Sequence, residues 1–148
     1  MDHRIVDLHV HSTESDGTLT PEDLVAEAKK VGLAAFALTD HDTCQGVCKA
    51  MPCAASAGIE LIPGIELSTD YHGKEVHIVG LYIDMENEQL LKKTAEYRKC
   101  RSERNALMVE ALQKEGLSIT MEELVAENPD CVITPVSYTH LTLPTIRL

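Results

Sequence analysis

Three times in the first half of the chain a short apolar segment runs into residues able to bind metal or carry protons, and this recurrence constrains the fold more than any other feature. Residues 4–11 (RIVDLHVH) alternate, with Val6, Leu8 and Val10 on one face and Ile5, Asp7, His9 and His11 on the other, the period of a strand. Residues 33–39 (LAAFALT) form a continuous apolar run that leads into Asp40, His41 and Asp42. Residues 59–67 (IELIPGIEL) make a third extended segment, whose ladder Pro63 and Gly64 are expected to disturb. Helix signals lie between them. Thr20 can cap, Pro21 suits a first helical position, Glu22 and Asp23 favour the positive end, and Leu24, Val25, Ala28 and Val31 give an apolar stripe that Gly32 ends. A second helix, capped by Asp42 or Thr43 and closed by Gly58, is expected to be kinked or split at Pro52.

Residues 75–83 (EVHIVGLYI) read as a fourth strand, entered through a turn at His72, Gly73 and Lys74. From Asn87 to about Glu115 the spacing of Leu90, Leu91, Ala95, Leu107, Val109 and Leu112 predicts a long helix, with a charged and solvated middle from Lys92 to Arg104. Met121–Glu127 suggests a short helix and Val132–Thr134 an extended piece. With 3% aromatic residues and no Trp, the core must be built from Leu, Ile, Val and Ala, as in α/β proteins whose strands are covered on both faces.

The 148 residues suit one domain or a fragment of one. Thirteen Lys and Arg against 24 Asp and Glu give a net charge of −11, which excludes a surface that holds nucleic acid by charge alone; a chain this acidic needs metal ions to handle phosphates. Cys44, Cys48, Cys53, Cys100 and Cys131 are odd in number and contain no C-x-x-C pair, so they are expected to be reduced and to fill apolar faces. No 18-residue apolar run and no signal-peptide layout are present, which leads to the expectation of a cytoplasmic protein with no membrane partner. The last fourteen residues (PVSYTHLTLPTIRL) contain no acidic residue, unlike the rest of the chain, and are expected to be foreign to the natural protein.

His9 and His11, two apart on a strand, point to the same face, and imidazole nitrogens about 2.0–2.1 Å from a zinc ion could share it. Such a pair also arises by chance. The other donors give it weight: Asp16 follows the first strand, His41 ends the second, Glu66 ends the third and His77 lies in the fourth. In a barrel of alternating strands and helices the C-terminal strand ends face a common mouth. Singly, Asp16 is a turn residue, His41 a helix cap and Glu66 a surface carboxylate; together they make a candidate metal centre.

The run DLHVHSTESDGTLTPEDLVAEAKKVGLAAFALTDHDT, followed by GIELIPGIELS and EVHIVGLYID, resembles the polymerase and histidinol phosphatase (PHP) family of metal-dependent phosphoesterases. The likeness extends from residue 4 to about 134 and is greatest to small stand-alone bacterial members acting on nucleotides or short RNA. It implies an α/β fold, the N-terminal part of a distorted (β/α)7 TIM-like barrel, with a helical insertion starting at about residue 88 and a domain spanning 1–134 ahead of the tail 135–148. It implies that His9 and His11 bind one metal with Glu66 as a bridging carboxylate, that His77 binds the ion sharing Glu66, that Asp16 and His41 hold a third, and that Asp40 and Asp42 orient His41. The cofactors would be two or three divalent ions (Mn, Zn or Fe) that activate water, with no side-chain nucleophile. The reaction would be hydrolysis of a phosphate ester in a phosphorylated small molecule or short RNA, as by a 3',5'-nucleoside bisphosphate phosphatase or a 5'-3' exoribonuclease; duplex nucleic acid is not expected as a partner. The family pattern continues with an Arg-Ala-His type of run where this chain has Pro135, Val136 and Ser137, and His140 does not replace that histidine. The chain is therefore expected to be a fragment, inactive alone. The alternatives are a non-catalytic PHP module within a larger assembly and a metal-dependent amidohydrolase, whose opening H-x-H is alike.

Overall fold

The computed structural model describes residues 5–127. The elements, in chain order, are β1 (Ile5–Val10), α1 (Pro21–Lys30), β2 (Leu33–Leu38), α2 (Gln45–Ala57), β3 (Glu60–Tyr71), β4 (Lys74–Leu81), α3 (Glu88–Lys114) and α4 (Met121–Glu127). The fold is mixed α/β. The four strands form one sheet in the order β1-β2-β3-β4, parallel from β1 to β3 and antiparallel between β3 and β4.

Local chemistry sets the boundaries of α1 as expected: the Thr20 hydroxyl accepts from Asp23 N and donates to the Asp23 carboxylate. Val25 and Ala28 of α1 and Val47, Ala50 and Ala54 of α2 pack on Phe36, Leu38, Ile59 and Leu61 to form the main core. The chain's single Phe is thus at its centre, amid aliphatic side chains. On the opposite face Ala35, Ala37 and Ile62 meet Leu81.

Several expectations need correction. Pro52 does not split α2, which runs unbroken over 13 residues because Val47, Ala50 and Ala54 anchor it on both sides while Pro52 faces solvent. Neither expected cap occupies the N-cap position, which is Cys44 and has no side-chain cap bond; Thr43, one residue earlier, accepts the Gln45 N–H, and Asp42 is engaged elsewhere. Pro63 and Gly64 do not interrupt β3; they mark the point where it changes partner. Pro63 is the last residue in register with β2, opposite Leu38, and Gly64 the first opposite β4, at Leu81. A Cβ on Gly64 would lie 2.7 Å from Thr39 Cγ2 and 2.9 Å from the Leu38 carbonyl oxygen, so only glycine permits the crossing. The strand then extends to Tyr71, further than expected, because His72 and Gly73 both take positive φ and make the two-residue turn that suits a twisted hairpin. Cys48 and Cys100 are exposed, not fillers of apolar faces; among the described cysteines only Cys44 is buried. The middle of α3 is not wholly solvated, since Thr94 and Arg101 are buried. Val6 and Leu8 are 50% and 44% exposed, as β1 lies at the edge of the sheet. No helix among the described residues is long and apolar enough to cross a membrane. Val132–Thr134, His140, Cys131 and residues 135–148 lie outside the described residues.

Candidate metal centre

The C-terminal ends of β1 and β2 meet the middle of β3, where Glu66 lies and does not end the strand as expected, and backbone hydrogen bonds lock the junction: Asp42 N donates to Glu66 O (2.9 Å) and Glu66 N to Asp40 O (3.2 Å). His41 is thereby held beside Glu66, and β4 returns antiparallel to deliver His77 to the same carboxylate.

Glu66 is the hub, its side chain only 6% exposed. Its Oε2 lies 2.7 Å from His9 Nε2 and 2.9 Å from His11 Nε2, while Oε1 lies 2.8 Å from His77 Nδ1. The two Nε2 atoms of His9 and His11 are 3.0 Å apart. Asp16 lies 3.1 Å from His11 Nδ1 and 3.6 Å from His41 Nε2. All six predicted donors therefore come together, in three groups: His9, His11 and Glu66; His11, Asp16 and His41; His41, Glu66 and His77. The grouping differs from the expected one in that His11 and His41 each belong to two groups.

Charge follows this geometry. Burial opposes ionisation of Asp16, but hydrogen bonds from His11 and His41 outweigh it and hold the carboxyl well below its usual range. Glu66 is likewise held low, burial being overcome by His9, His41 and His77. His11 is raised despite burial, by Asp16 and Glu66. His77 is raised by Glu75, at 3.1 Å from its Nε2, and by Glu66. Glu75 was not anticipated, although E-V-H repeats the two-residue spacing that singles out H-V-H.

Asp40 and Asp42 do not bond to the His41 ring as expected. Asp40 accepts from Ser12 N, Ser12 Oγ and Ser15 Oγ, all at 2.7 Å, and so fixes the loop that follows β1; Ser15 Oγ lies in turn 3.3 Å from His11 Nδ1. Asp42, with φ of 54°, accepts from Ser68 N and from Arg101 Nε and Nη2. The reason is geometric: both carboxylates turn into the protein on either side of His41, where backbone and arginine donors await them. Arg101 is one turn of α3 among many charges, and nothing local in its sequence distinguishes it.

The donors suit a divalent ion. Imidazole and carboxylate are the ligands that zinc, manganese and iron accept. The triangle of His9 Nε2, His11 Nε2 and Glu66 Oε2 has edges of 2.7 to 3.0 Å, close to the separation of two ligands about 2.0–2.1 Å from one ion at right angles. His41 Nδ1 is buried without a hydrogen-bond partner and lies 3.9 Å from Glu66 Oε2, an orphaned donor atom aimed into the cluster.

A cluster of four imidazoles and two carboxylates able to hold metal ions thus lies in a mixed α/β fold, and the chain belongs to the PHP domain family, whose model matches residues 7–138. Among its relatives, the 5'-3' exoribonuclease Rnm of Escherichia coli K12 is 39% identical over 120 residues, covering 80% of this chain and 41% of the relative. A 3',5'-nucleoside bisphosphate phosphatase of Chromobacterium violaceum is 36% identical over 129 residues, 86% of this chain and 45% of that protein. In fold, a solved amidohydrolase of Chromobacterium violaceum, with bound sulfate and no metal, matches 97% of this chain and 51% of its own at a TM-score of 0.88 and 32% identity. The chain thus spans less than half the length of these two enzyme relatives.

Proposed function

We propose that the chain carries the metal-binding part of a phosphoesterase that hydrolyses nucleotide or short-RNA phosphate esters. The observation that carries the reading is the convergence of six donors, His9, His11, Asp16, His41, Glu66 and His77, in three overlapping groups, with His41 Nδ1 unpartnered among them. His9, His11 and Glu66 hold one divalent ion, Glu66 and His77 a second, and Asp16 and His41 a third, with manganese, zinc and iron the candidates. The four strands are the first part of a distorted seven-stranded barrel, a reading supported by the parallel β1-β2-β3 order with donors at its C-terminal ends. The charge of −11 supports small phosphorylated substrates or short RNA over duplex nucleic acid.

Bound ions supply the activation of water and offset the charge that grows on the phosphoryl oxygens. The chain's residues prepare the place. Asp16 and Glu66 stay ionised and so present charge to cations at neutral pH. Asp40, through Ser12 and Ser15, fixes the loop that carries Asp16 and steadies His11. His9, half exposed, lies on the open side where a substrate would arrive.

The ligand set is tested by metal analysis after gel filtration. The wild-type chain should retain divalent metal and the variant His9→Ala with His11→Ala at least tenfold less; equal contents would overturn the set. Activity is tested with the full-length reading frame, by phosphate release from a nucleoside 3',5'-bisphosphate, a short RNA and histidinol phosphate, beside a neutral amide. Manganese-dependent phosphate release is expected, with little from the 148-residue chain alone. Amide cleavage without phosphate release would favour the amidohydrolase reading that the structural neighbour's name suggests. Deleting residues 135–148 should leave metal content and melting temperature unchanged if the domain ends at about 134.

A further inference from the structure

The loop that follows β1 is polar in sequence, STESDG over residues 12–17, yet Ser12, Glu14 and Ser15 within it are buried. Asp40 accepts from both serine hydroxyls. The carboxylate of Glu14, 5% exposed, needs a cation from another direction, and Lys49 supplies it: from the second turn of α2 its Nζ donates to Glu14 Oε1 at 2.7 Å. The Lys49 side chain is 47% exposed, so its ammonium reaches inward from the surface. This pair is unlike the exposed ones. Lys30–Glu27 and Lys93–Glu96 join neighbours on one helix with both partners in solvent, where such bridges hold little. Glu14 and Lys49 are 35 residues apart and join the loop to a different element, and loss of the lysine would leave a buried carboxylate uncompensated.

Between this anchor and the metal centre the loop has little slack. Glu14 N donates to Ser12 Oγ, the amides of Ser15 and Gly17 both donate to Ser12 O, and a Cβ on Gly17 would run into the His11 carbonyl. Asp16 stands two residues after Glu14, 3.1 Å from His11 Nδ1 and 3.6 Å from His41 Nε2. A shift of Glu14 is therefore passed on to Asp16.

We propose that Lys49 is a positioning residue of the metal centre: its ion pair with buried Glu14 sets the loop that presents Asp16, and through it the affinity of the ion held by Asp16 with His11 and His41. The proposal rests on the proposed ligand set and adds to it a residue that touches no ion. The ion shared by Glu66 and His77 is presented by β3 and β4, outside the loop that Lys49 fastens, and keeps its affinity.

The test titrates the chelator-treated chain with manganese, reading free ion by electron paramagnetic resonance, while amide hydrogen exchange reads the loop. Asp16→Asn marks the class of bound ion that depends on the loop. Lys49→Met should weaken that class by about tenfold or more, as removal of the partners behind a ligand does. It should leave the remaining manganese binding unchanged and speed exchange of the Ser15 and Gly17 amides, and Lys49→Arg should restore both. Lys49→Met combined with Glu14→Gln removes the stranded charge, so its melting temperature should recover while the weakened ion class and the fast exchange persist; should Lys49→Met fail to fold, this double variant carries the comparison. Full recovery of metal binding in the double variant would reduce Lys49 to a stabilising role and overturn the proposal. Binding unchanged in Lys49→Met where Asp16→Asn loses it would overturn it too, as would equal loop exchange in wild type and Lys49→Met. A wild-type chain that takes up no manganese would instead defeat the ligand set, and the loop exchange would then judge Lys49 alone: faster in Lys49→Met upholds its hold on the Asp16 loop, equal overturns it.

Discussion

Gly46 shows how much of the site is decided by single atoms far from any donor. It sits in the first turn of α2, and a Cβ there would stand 2.2 Å from Asp40 Oδ2 and 2.9 Å from Ser12 Oγ. Helix propensity alone predicts that Gly46→Ala stabilises the chain by about 0.5–1 kcal/mol. Overpacking into a buried carboxylate predicts a loss of about 1–3 kcal/mol, so the clash should win and the urea midpoint should fall; the loop carrying Ser15 and Asp16 should loosen with it. The same residues make a pH prediction. In chelator-treated protein His11 and His77 titrate above the ordinary 6.5, so they stabilise the fold below that pH and the contribution is lost as pH rises through their folded values. Asp16 and Glu66 titrate below 3.8 and 4.5, so they stabilise above those values and the contribution is lost on acidification. The melting temperature should therefore peak between about pH 4.5 and 6.5 and decline toward pH 8, and added divalent metal, which competes with protons for imidazole, should lift the alkaline side. A flat profile without metal would contradict the charge arrangement described.

At the scale of elements, what the sequence discloses depends on how far away the partner lies. The start of α1 could be read because Thr20, Pro21 and Asp23 decide it among themselves. The six candidate donors could be picked out because each lies in a strand or in the segment that follows one, and strand ends gather in a fold of this kind. The length of β3 was not legible, since its last residues are held by β4, nor was the burial of Arg101, whose partner Asp42 is 59 residues away. That ion pair fastens α3 to the strand ends. Arg101→Leu should cost about 3–5 kcal/mol because it strands the Asp42 carboxylate in the interior, and the paired change Arg101→Leu with Asp42→Asn should recover part of it; thermal melts of the three variants decide. Pro52 gives the opposite sign. An interior helix proline costs about 3 kcal/mol and a released proline returns about 0.4–1 kcal/mol to the unfolded chain, so Pro52→Ala, at an exposed position, should stabilise by about 2 kcal/mol.

For the molecule as a whole, the sheet has two open edges among the described residues. There β1 has only β2 beside it, with Ile5 59% and Val6 50% exposed, and β4 leaves Ile78 53% exposed. Long apolar edges pair with other chains. The isolated chain should self-associate as its concentration rises, and Leu8→Lys, at an outward β1 position 44% exposed, should suppress this in light scattering without changing the circular dichroism spectrum. The reversal of direction at the His72–Gly73 turn bears on the order of assembly. Glu66 and His77 belong to one hairpin and are 11 residues apart, whereas Glu66 and His9 are 57 apart and meet only after two crossover helices have docked. Closing the longer loop costs about 1.5 kcal/mol more in chain entropy, and hairpins form within microseconds. Two of the six candidate donors are thus in place before the parallel strands arrive, and a divalent ion captured early by the hairpin would be a seed on which β1 and β2 finish folding.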